Sequence, residues 1–323
     1  MGKIRIGILG YGNLGKGVEQ GIKQNPDMEL VGIFTRRDPS IIETNSAAYR
    51  ESELENFKGK IDVLALCVGS ANDLPELGPK YLKWFNTVDT YDNHDEIPEY
   101  IDKLDKIGKE HKKLAVVGTG WDPGLFSRQR ILAQSLLPNS KIEAFYGPGK
   151  SLGHSDAIRN LDGVIDAVQY TLPNLELIEA IKEGSILEVN PLDKHKRDCY
   201  VVIEDNADKD LIKEQIINME GYFKGQETMV NFVTLEELEK NHNSDAHQGL
   251  VLCIGETANG SKGIIELKVA WESNASATAG ILLATARATH RLAKEGETGV
   301  LTVLDIPDSY LSIKTKEEQI KLI

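Results

Sequence analysis

The chain has 323 residues, of which 41% are hydrophobic and 27% charged, and its formal net charge is −13. This composition is typical of a globular protein long enough for two domains, and the negative charge argues against nucleic acid or an anionic membrane as a partner. No apolar run is long enough to span a bilayer, and no signal-peptide pattern opens the chain. Three widely separated cysteines fit buried thiols in a reducing compartment, so we expect a cytoplasmic protein.

A strand, a glycine turn, a helix and a second strand are predicted for the first part of the chain. Residues 4–9 are an apolar run, the sequence GYGNLG follows at 10–15, and a second apolar run covers 30–34. In dinucleotide-binding folds such glycines allow a tight turn, close approach of a pyrophosphate and tight helix packing, while the amino end of the helix attracts phosphate. The alternative is a glycine turn with a structural role only.

The end of the second strand indicates which dinucleotide is bound. Thr35, Arg36 and Arg37 lie where an acidic residue would accept hydrogen bonds from the ribose of NAD. Two guanidiniums and a hydroxyl suit a 2′-phosphate instead, through charge-assisted hydrogen bonds. The pattern therefore predicts NADP, and the alternative is a pair of solvated surface arginines.

Further strands and helices alternate up to about residue 124. Strands are predicted at 62–68, 84–88 and 114–117, with a polar-faced helix at 97–113. Polar residues follow these strands, at the edge where ligands bind in open parallel sheets. Ser70 or Asn72 is predicted to cap the helix after the first of these strands.

The pattern becomes mixed after residue 124. Helices are predicted at 125–137, 175–186, 210–219 and 274–293, and strands at 141–146, 164–171, 199–203, 228–233, 251–255, 264–271 and 300–304. We therefore predict an α/β protein: an N-terminal Rossmann-type domain with a doubly wound parallel sheet, and a C-terminal α+β domain with a mainly antiparallel sheet. The expected dinucleotide-binding domain is 1–122 with a return at about 298–323, and the substrate-binding and dimerisation domain is 123–297.

The sequence contains no metal-ligand spacing and no GxSxG motif, so we predict no metal and no serine nucleophile. What remains is a set of polar residues beside glycine-containing turns. These candidates are Asp92, Asp122, His154, Thr171, Arg197 and His247.

Seven motifs follow one another along the chain: YGNLG at 11–15, DTYDN at 89–93, TGWDPG at 119–124, GPG at 147–149, GHSDA at 153–157, VQYTLP at 168–173 and HKR at 195–197. Together they resemble the meso-diaminopimelate dehydrogenase family. The matches run in order to the helix that contains Ala286 and Arg287, so the resemblance covers nearly the whole chain. In one departure, Tyr146 stands where the family has tryptophan, which keeps a flat amphipathic ring but changes an indole donor into a phenol.

The resemblance implies a homodimeric, NADP-dependent oxidoreductase of lysine biosynthesis. It would reversibly deaminate the D-centre of meso-2,6-diaminopimelate to L-2-amino-6-oxopimelate and ammonia. It assigns cofactor binding to Tyr11, Gly12, Asn13, Leu14, Thr35, Arg36, Arg37, Cys67, Val68, Gly69, Ser70, Thr90, Tyr91, Asp92, Gly120, Trp121, Asp122, Pro123 and Gly124. It assigns substrate binding to Asp92, Asp122, Tyr146, Gly153, His154, Thr171, Arg197, His247 and Asn274.

The chemistry of this substrate agrees with these residue types. Diaminopimelate carries an ammonium and a carboxylate at each end, so a site needs acceptors and cationic donors. Asp92 and Asp122 can accept hydrogen bonds from an ammonium, and we expect one of them to take the proton or hold the water at the reacting centre. We expect the carboxylate of the distal L-centre to be bound by Arg197, Thr171 and His247.

Three other functions remain open on sequence alone. The enzyme could be a broader D-amino acid dehydrogenase. It could be a related NADP-dependent imine or carbonyl reductase, such as a dihydrodipicolinate reductase or a sugar-type oxidoreductase. A protein that senses nucleotides without turnover would also carry the glycine turn. Ammonia-dependent oxidation of NADPH with a 2-oxo acid separates these possibilities.

Overall fold

The computed structural model describes residues 2–184, 188–242 and 244–323. Its strands are β1 (Ile4–Leu9), β2 (Met28–Thr35), β3 (Ala48–Arg50), β4 (Val63–Leu66), β5 (Asn86–Asp89), β6 (Leu114–Val117), β7 (Asn139–Tyr146), β8 (Gly149–Lys150), β9 (Val164–Pro173), β10 (His195–Ile203), β11 (Thr228–Phe232), β12 (His247–Glu256), β13 (Lys262–Trp271) and β14 (Gly299–Thr302). Its α-helices are α1 (Asn13–Lys23), α2 (Leu74–Leu82), α3 (Ile97–His111), α4 (Leu125–Leu136), α5 (Leu152–Arg159), α6 (Leu175–Lys182), α7 (Lys209–Ile217), α8 (Leu235–Asn241), α9 (Asn274–Lys294), α10 (Asp308–Leu311) and α11 (Lys316–Ile320).

The chain folds into two compact units. Unit 1 comprises Met1–Ile131 and Ala275–Ile323, and unit 2 comprises Leu132–Asn274. The chain crosses from one unit to the other at α4 and α9. None of the helices in the described part of the chain is long and apolar enough to cross a membrane.

Unit 1 is built on a parallel sheet of seven strands in the order β14-β6-β5-β4-β1-β2-β3. Strands β4 and β6 are buried at every residue, because both faces of the sheet are covered by helices. On one face, Ile6 and Ile8 pack with Leu282 and Leu283 of α9. On the other face, the apolar cluster includes residues of α2 and α3. The prediction of a doubly wound parallel sheet is thus confirmed.

Unit 2 contains two smaller sheets. One has the order β11-β10-β9-β8, and β9 runs antiparallel to both of its neighbours. The other has the order β13-β12-β7 and is antiparallel throughout. The β12–β13 connection passes through Ala258–Gly260, where Asn259 adopts a left-handed φ of 61°. The predicted mainly antiparallel second domain is confirmed by these pairings.

Several elements differ from the sequence-based expectation. Strand β10 begins at His195 rather than at residue 199, because the polar stretch at its start pairs with β9 on one side and β11 on the other. The sequence did not predict six short elements, because each is too brief to show a clear apolar period: β3, β8, α5, α8, α10 and α11. The predicted end of α6 at residue 186 lies outside the described residues.

Candidate functional site

The glycine turn of unit 1 joins β1 to α1. Gly10 has a φ of 91°, and a Cβ built there would lie 2.4 Å from the Cys67 carbonyl oxygen. A Cβ at Gly15 would lie 2.3 Å from the Gly10 carbonyl oxygen. At Gly12, by contrast, a Cβ would meet nothing within 4 Å among the described residues. The turn therefore needs two glycines for its own packing and leaves open space at the third, which is where a ligand can approach the backbone.

Helix α1 begins directly behind this open space. Its N-cap residue is Gly12, which offers no side-chain hydrogen bond to the first turn. The first backbone N–H groups of a helix lack partners within the helix, and they favour anions. This helix end, which includes Asn13 and Leu14, fits a bound phosphate group.

A pocket of about 300 Å³ opens beside the turn, at the carboxyl ends of β1, β2 and β4. Eight of the predicted cofactor residues line it: Tyr11, Gly12, Thr35, Arg36, Arg37, Cys67, Val68 and Gly69. The pocket is also lined by Glu51, Asp73 and Leu77, which no sequence pattern had indicated. Three predicted segments that are distant in sequence are thus brought to one edge of the sheet.

The two arginines after β2 are held in different ways. Arg36 pairs end-on with Asp73, with Nη–Oδ distances of 2.8 and 2.9 Å. Asp73 also accepts a hydrogen bond of 3.0 Å from the Gly69 N–H. Arg37 donates to the Tyr11 carbonyl oxygen. Both guanidiniums are therefore held at the wall of the pocket, although both residues remain exposed to solvent.

Ser70 does not cap the helix that follows it, and neither does Asn72, because the N-cap of α2 is Asp73. Instead, the Ser70 hydroxyl donates to Asp92 Oδ1 at 2.5 Å and accepts from the Asp92 N–H at 3.0 Å. The loops after β4 and β5 are joined by this pair. Asp92 itself is exposed.

Asp89 is a fully buried carboxylate at the end of β5. Its Oδ1 accepts from the N–H groups of Tyr91 and Gly118 at 3.0 and 3.3 Å, and its Oδ2 accepts from the Tyr100 hydroxyl at 3.0 Å. The N–H of Thr119 donates to the Asp89 carbonyl oxygen at 2.8 Å. One residue therefore holds together the two predicted cofactor loops that follow β5 and β6, a role that sequence alone did not indicate.

Asp89→Asn is expected to remove the part of the pH dependence of stability that arises from the Asp89 carboxyl. Burial raises the pKa of the Asp89 carboxyl to about 6, whereas an unfolded aspartate has a pKa of about 3.9. The folded protein therefore holds an extra proton between roughly pH 4 and 6, and this group makes the protein less stable as pH rises through that window, by about 3 kcal/mol in total. Asparagine retains an acceptor for the two N–H groups and cannot ionise.

Urea unfolding of the variant and the wild type at several pH values between about 4 and 8 checks this expectation. The free energy of unfolding of the variant minus that of the wild type should rise with pH and level off above about pH 7. Asp102→Asn, at an exposed position of α3, is the control and should show no such rise. If the difference in the free energy of unfolding between variant and wild type did not change with pH, the raised pKa of Asp89 would be contradicted.

Asp122, a predicted catalytic residue, is held by a partner that the sequence did not reveal. Its side chain is only 10% exposed, and Arg130 of α4 donates to Oδ1 at 2.6 Å and also to Oδ2. The loop around Asp122 closes on itself through the Gly120 N–H, which donates to the Pro123 carbonyl oxygen at 3.1 Å, and Gly124 has a φ of 135°. The preceding residue, Trp121, packs edge to face on Phe126.

A second cluster lies within unit 2. Thr171 of β9 is opposite Arg197 of β10 on one side and Gly149 of β8 on the other. The Arg197 guanidinium donates to Thr171 Oγ1 at 2.5 Å, and burial lowers the pKa of Arg197. A Cβ at Gly149 would lie 2.2 Å from His247 Nδ1, so the absence of a side chain there lets the imidazole approach. Three predicted substrate residues are thus gathered around one glycine.

His154 lies close to this arginine. Its Nδ1 is 2.9 Å from Ser151 Oγ, and its ring meets those of Tyr222 and Phe223 edge to face. Burial and the positive charge of Arg197 lower the pKa of His154 to about 4, so the imidazole is neutral near pH 7. At Gly153 beside it, a Cβ would meet none of the described residues within 4 Å.

Tyr146 is positioned by a histidine. The two rings of Tyr146 and His195 stack at 5.6 Å, and the Tyr146 N–H donates to His195 Nε2 at 2.9 Å. Burial lowers the pKa of His195 to about 4, so the ring is neutral near pH 7, and the hydrogen bond from the Tyr146 N–H assigns Nε2 as the accepting nitrogen. The last predicted substrate residue, Asn274, donates its backbone N–H to the Asp245 carbonyl oxygen at 2.9 Å.

The described residues contain no group of three or more potential metal ligands, and the three cysteines are free and buried. The glycine turn, the uncapped helix end and the arginine-lined pocket at the edge of a parallel sheet define a dinucleotide-binding α/β protein. Residues 120–273 match the family model described as "Diaminopimelic acid dehydrogenase C-terminal domain". The chain belongs to the meso-diaminopimelate D-dehydrogenase family.

Full-length relatives and solved structures support this assignment. The meso-diaminopimelate D-dehydrogenase of Lysinibacillus sphaericus is 46% identical over 317 residues (98% of this chain and 97% of the relative). That of Acetivibrio thermocellus is 48% identical over 321 residues (98% and 96%). The structure of C. glutamicum DAP dehydrogenase in complex with DAP is 39% identical, with a TM-score of 0.91 and 99% coverage of both chains.

An engineered D-amino acid dehydrogenase bound to NADP+ is 38% identical to this chain, with a TM-score of 0.86 and 99% coverage of both chains. Together with the pocket beside the glycine turn, this similarity indicates a nicotinamide cofactor. The chain is therefore an oxidoreductase, and the alternative of a nucleotide sensor without turnover is not supported.

Proposed function

We propose that this protein catalyses the reversible, NADP-dependent oxidative deamination of the D-centre of meso-2,6-diaminopimelate. In the forward direction, meso-diaminopimelate, NADP+ and water give L-2-amino-6-oxopimelate, ammonium, NADPH and a proton. The observation that carries the proposal is the identity of 46% to 48% with meso-diaminopimelate D-dehydrogenases over nearly the whole chain. Lysine biosynthesis in the cytoplasm is the expected setting.

The residues of unit 1 fit the cofactor. The open space at Gly12 and the uncapped start of α1 suit a pyrophosphate, and the loops tied by Asp89 and by Ser70 would line the rest of the site. When bound, the nicotinamide supplies the hydride acceptor that the side chains of the protein lack. We propose that the loops Thr90–Asp92 and 120–124 contribute the remaining cofactor contacts.

The preference for NADP over NAD is assigned to Arg36 and Arg37. Two guanidiniums at the end of β2 line the same pocket as the glycine turn, and they suit the extra phosphate on the adenosine ribose. The Asp73 carboxylate holds Arg36 through two hydrogen bonds and partly neutralises its charge, whereas Arg37 is held by the neutral Tyr11 carbonyl oxygen and keeps its charge for the phosphate.

The double variant Arg36→Ala, Arg37→Ala is expected to lower the ratio of kcat/KM for NADP+ to that for NAD+ by about 100-fold. Charge-assisted hydrogen bonds of this kind contribute about 1.5–3 kcal/mol each. Steady-state kinetics with both cofactors at saturating substrate measure the ratio. Arg50→Ala removes an exposed arginine that pairs with Asp38 and is the control. An unchanged ratio in the double variant would reject this assignment.

The substrate residues fall into two sets by the charge that they can bind. We propose that Asp92 and Asp122 accept hydrogen bonds from the ammonium of the reacting D-centre, and that one of them orients the water that hydrolyses the imine. Arg197, Thr171 and His247 would bind the carboxylate of the L-centre. The remaining walls of the substrate site would be formed by Tyr146, Gly153, His154 and Asn274.

The direct test is a screen of purified protein with NADP+ against the three stereoisomers of diaminopimelate and several D-amino acids. Turnover of the meso isomer with release of ammonium is expected. Comparable turnover of simple D-amino acids would favour the broader dehydrogenase. NADPH-dependent reduction of a carbonyl or cyclic imine without ammonia would favour the reductase and reject the proposal.

We also propose that residues 123–297 supply both substrate binding and the contacts of a homodimer, as the family resemblance implies. Exposed apolar side chains on α4, including Leu132 and Leu136 at 55% and 60% exposure, support an association surface in this part of the chain. Light scattering coupled to size-exclusion chromatography would give the molar mass. A mass of about 36 kDa, that of one chain, would reject the dimer.

A further inference from the structure

Arg197 differs from the other enclosed arginines in the charge of its partners. Arg287 pairs with Asp27, Arg130 with Asp122, and Arg159 with two aspartates. The Arg197 guanidinium donates from Nε to Gln226 Oε1 at 2.7 Å and from Nη1 to the Thr171 hydroxyl at 2.5 Å. Both acceptors are neutral, and in the described part of the chain Arg197 takes part in no ion pair.

The amide of Gln226 is itself fixed. Its Nε2 donates to the Tyr222 carbonyl oxygen at 3.0 Å, so Oε1 is the atom directed at Arg197. The Gln226 N–H donates to the Phe223 carbonyl oxygen at 3.0 Å, and the Thr228 hydroxyl donates to the Gln226 carbonyl oxygen at 3.1 Å. Hydrogen bonds therefore fix both the side chain and the backbone of Gln226.

A neutral acceptor and an acidic acceptor would have different consequences at this position. Either could hold the Nε–H and orient the guanidinium. A carboxylate would also neutralise the positive charge, and an incoming anion would then meet a neutral pair. An amide holds the guanidinium in place and leaves its charge available, which suits a site that must attract a carboxylate.

We propose that Gln226 is a positioning residue, which orients Arg197 towards the distal carboxylate of the substrate while leaving the guanidinium charge uncompensated. This inference rests on the proposed function, since it takes meso-diaminopimelate as the substrate. Gln226 acts through Arg197 and is not itself assigned a contact with the substrate.

Two variants separate orientation from charge. Gln226→Glu keeps the size and the acceptor but adds a negative charge, and we expect it to raise KM for meso-diaminopimelate at least about 10-fold, with kcat and KM for NADP+ changed by no more than about twofold. Gln226→Leu removes the acceptor and should raise the same KM to a smaller extent, because the charge of Arg197 remains. Gln215→Glu makes the same charge change at an exposed position of α7 and is the control.

The outcomes are distinct. A purely structural role predicts that both variants lose thermal stability, because each loses the hydrogen bond from Nε2 to the Tyr222 carbonyl oxygen, and that all kinetic constants change together. A KM for meso-diaminopimelate within about twofold of the wild type in Gln226→Glu would overturn the inference and leave the proposed function intact. A wild-type protein that does not oxidise meso-diaminopimelate with either cofactor would reject the function and this inference together.

Discussion

Replacing Asp122 by asparagine is expected to lower kcat for deamination of meso-diaminopimelate by a factor of about 10²–10⁴, the range typical of general acid–base groups. The side chain is nearly enclosed and its two oxygens are fixed by Arg130, so its position is well defined before substrate binds. Asparagine has nearly the same shape but has lost the charge that attracts an ammonium, and its amide nitrogen would face the Arg130 guanidinium. Stopped-flow or steady-state NADPH formation measures the effect.

Cofactor binding separates a specific defect from a folding defect. The dissociation constant of NADP+ for Asp122→Asn, measured by fluorescence, should stay within about threefold of the wild type, because the pocket at the glycine turn is formed by other residues and asparagine keeps the shape of the side chain in the loop at 120–124. Asp102→Asn removes an exposed carboxylate of α3 and should retain full activity. Turnover near the wild-type level in Asp122→Asn would show that this carboxylate is not at the reacting centre.

Arg197→Met is expected to lower kcat/KM for meso-diaminopimelate by about 10- to 100-fold, mainly through KM. Hydrogen bonds to a charged group contribute about 1.5–3 kcal/mol, and methionine keeps the apolar stem of the side chain while removing every donor. The distal carboxylate would then meet only the Thr171 hydroxyl and the His247 ring. Substrate saturation curves at fixed NADP+ measure the change.

The control for this variant is Lys196→Met, which removes the same charge from the adjacent residue of β10. Successive strand residues point to opposite faces of a sheet, and Lys196 pairs with Glu227 instead. A second readout comes from His154, whose low pKa arises first from burial and then from the charge of Arg197. The pKa of His154, followed by NMR, should therefore rise in Arg197→Met. Equal effects of the two substitutions on kcat/KM would contradict the role of Arg197.

The sequence predicts the core of unit 1 well because its signals are local. Strand β6 was predicted with the observed bounds, since four consecutive apolar residues lie between Lys113 and the turn that begins at Gly118. The glycine turn was identified because close packing and a positive φ leave few other residue types possible at Gly10. Motif resemblance, rather than periodicity, supplied the candidate residues of unit 2.

The partners of the site residues could not be predicted from the sequence. Asp73 lies 37 positions from Arg36, and Gln226 lies 29 positions from Arg197. Such pairs depend on how the fold brings strands and loops together, and a single sequence does not show which distant residues come into contact. Arg130 is nearer to Asp122, but its meeting with that carboxylate depends on the shape of the loop at 120–124.

The division of the chain has a consequence for the order of events during synthesis on the ribosome. Helix α9 supplies Leu282, Leu283 and Ala286 to the same apolar cluster as β1, and β14 forms the sheet edge next to β6. The first 131 residues therefore emerge without the segment that covers one face of their sheet, while residues 132–274 form a continuous unit that can fold as soon as it is free. A nascent chain stalled at residue 274 would expose that uncovered apolar face, and it is at this stage that chaperone binding should be strongest.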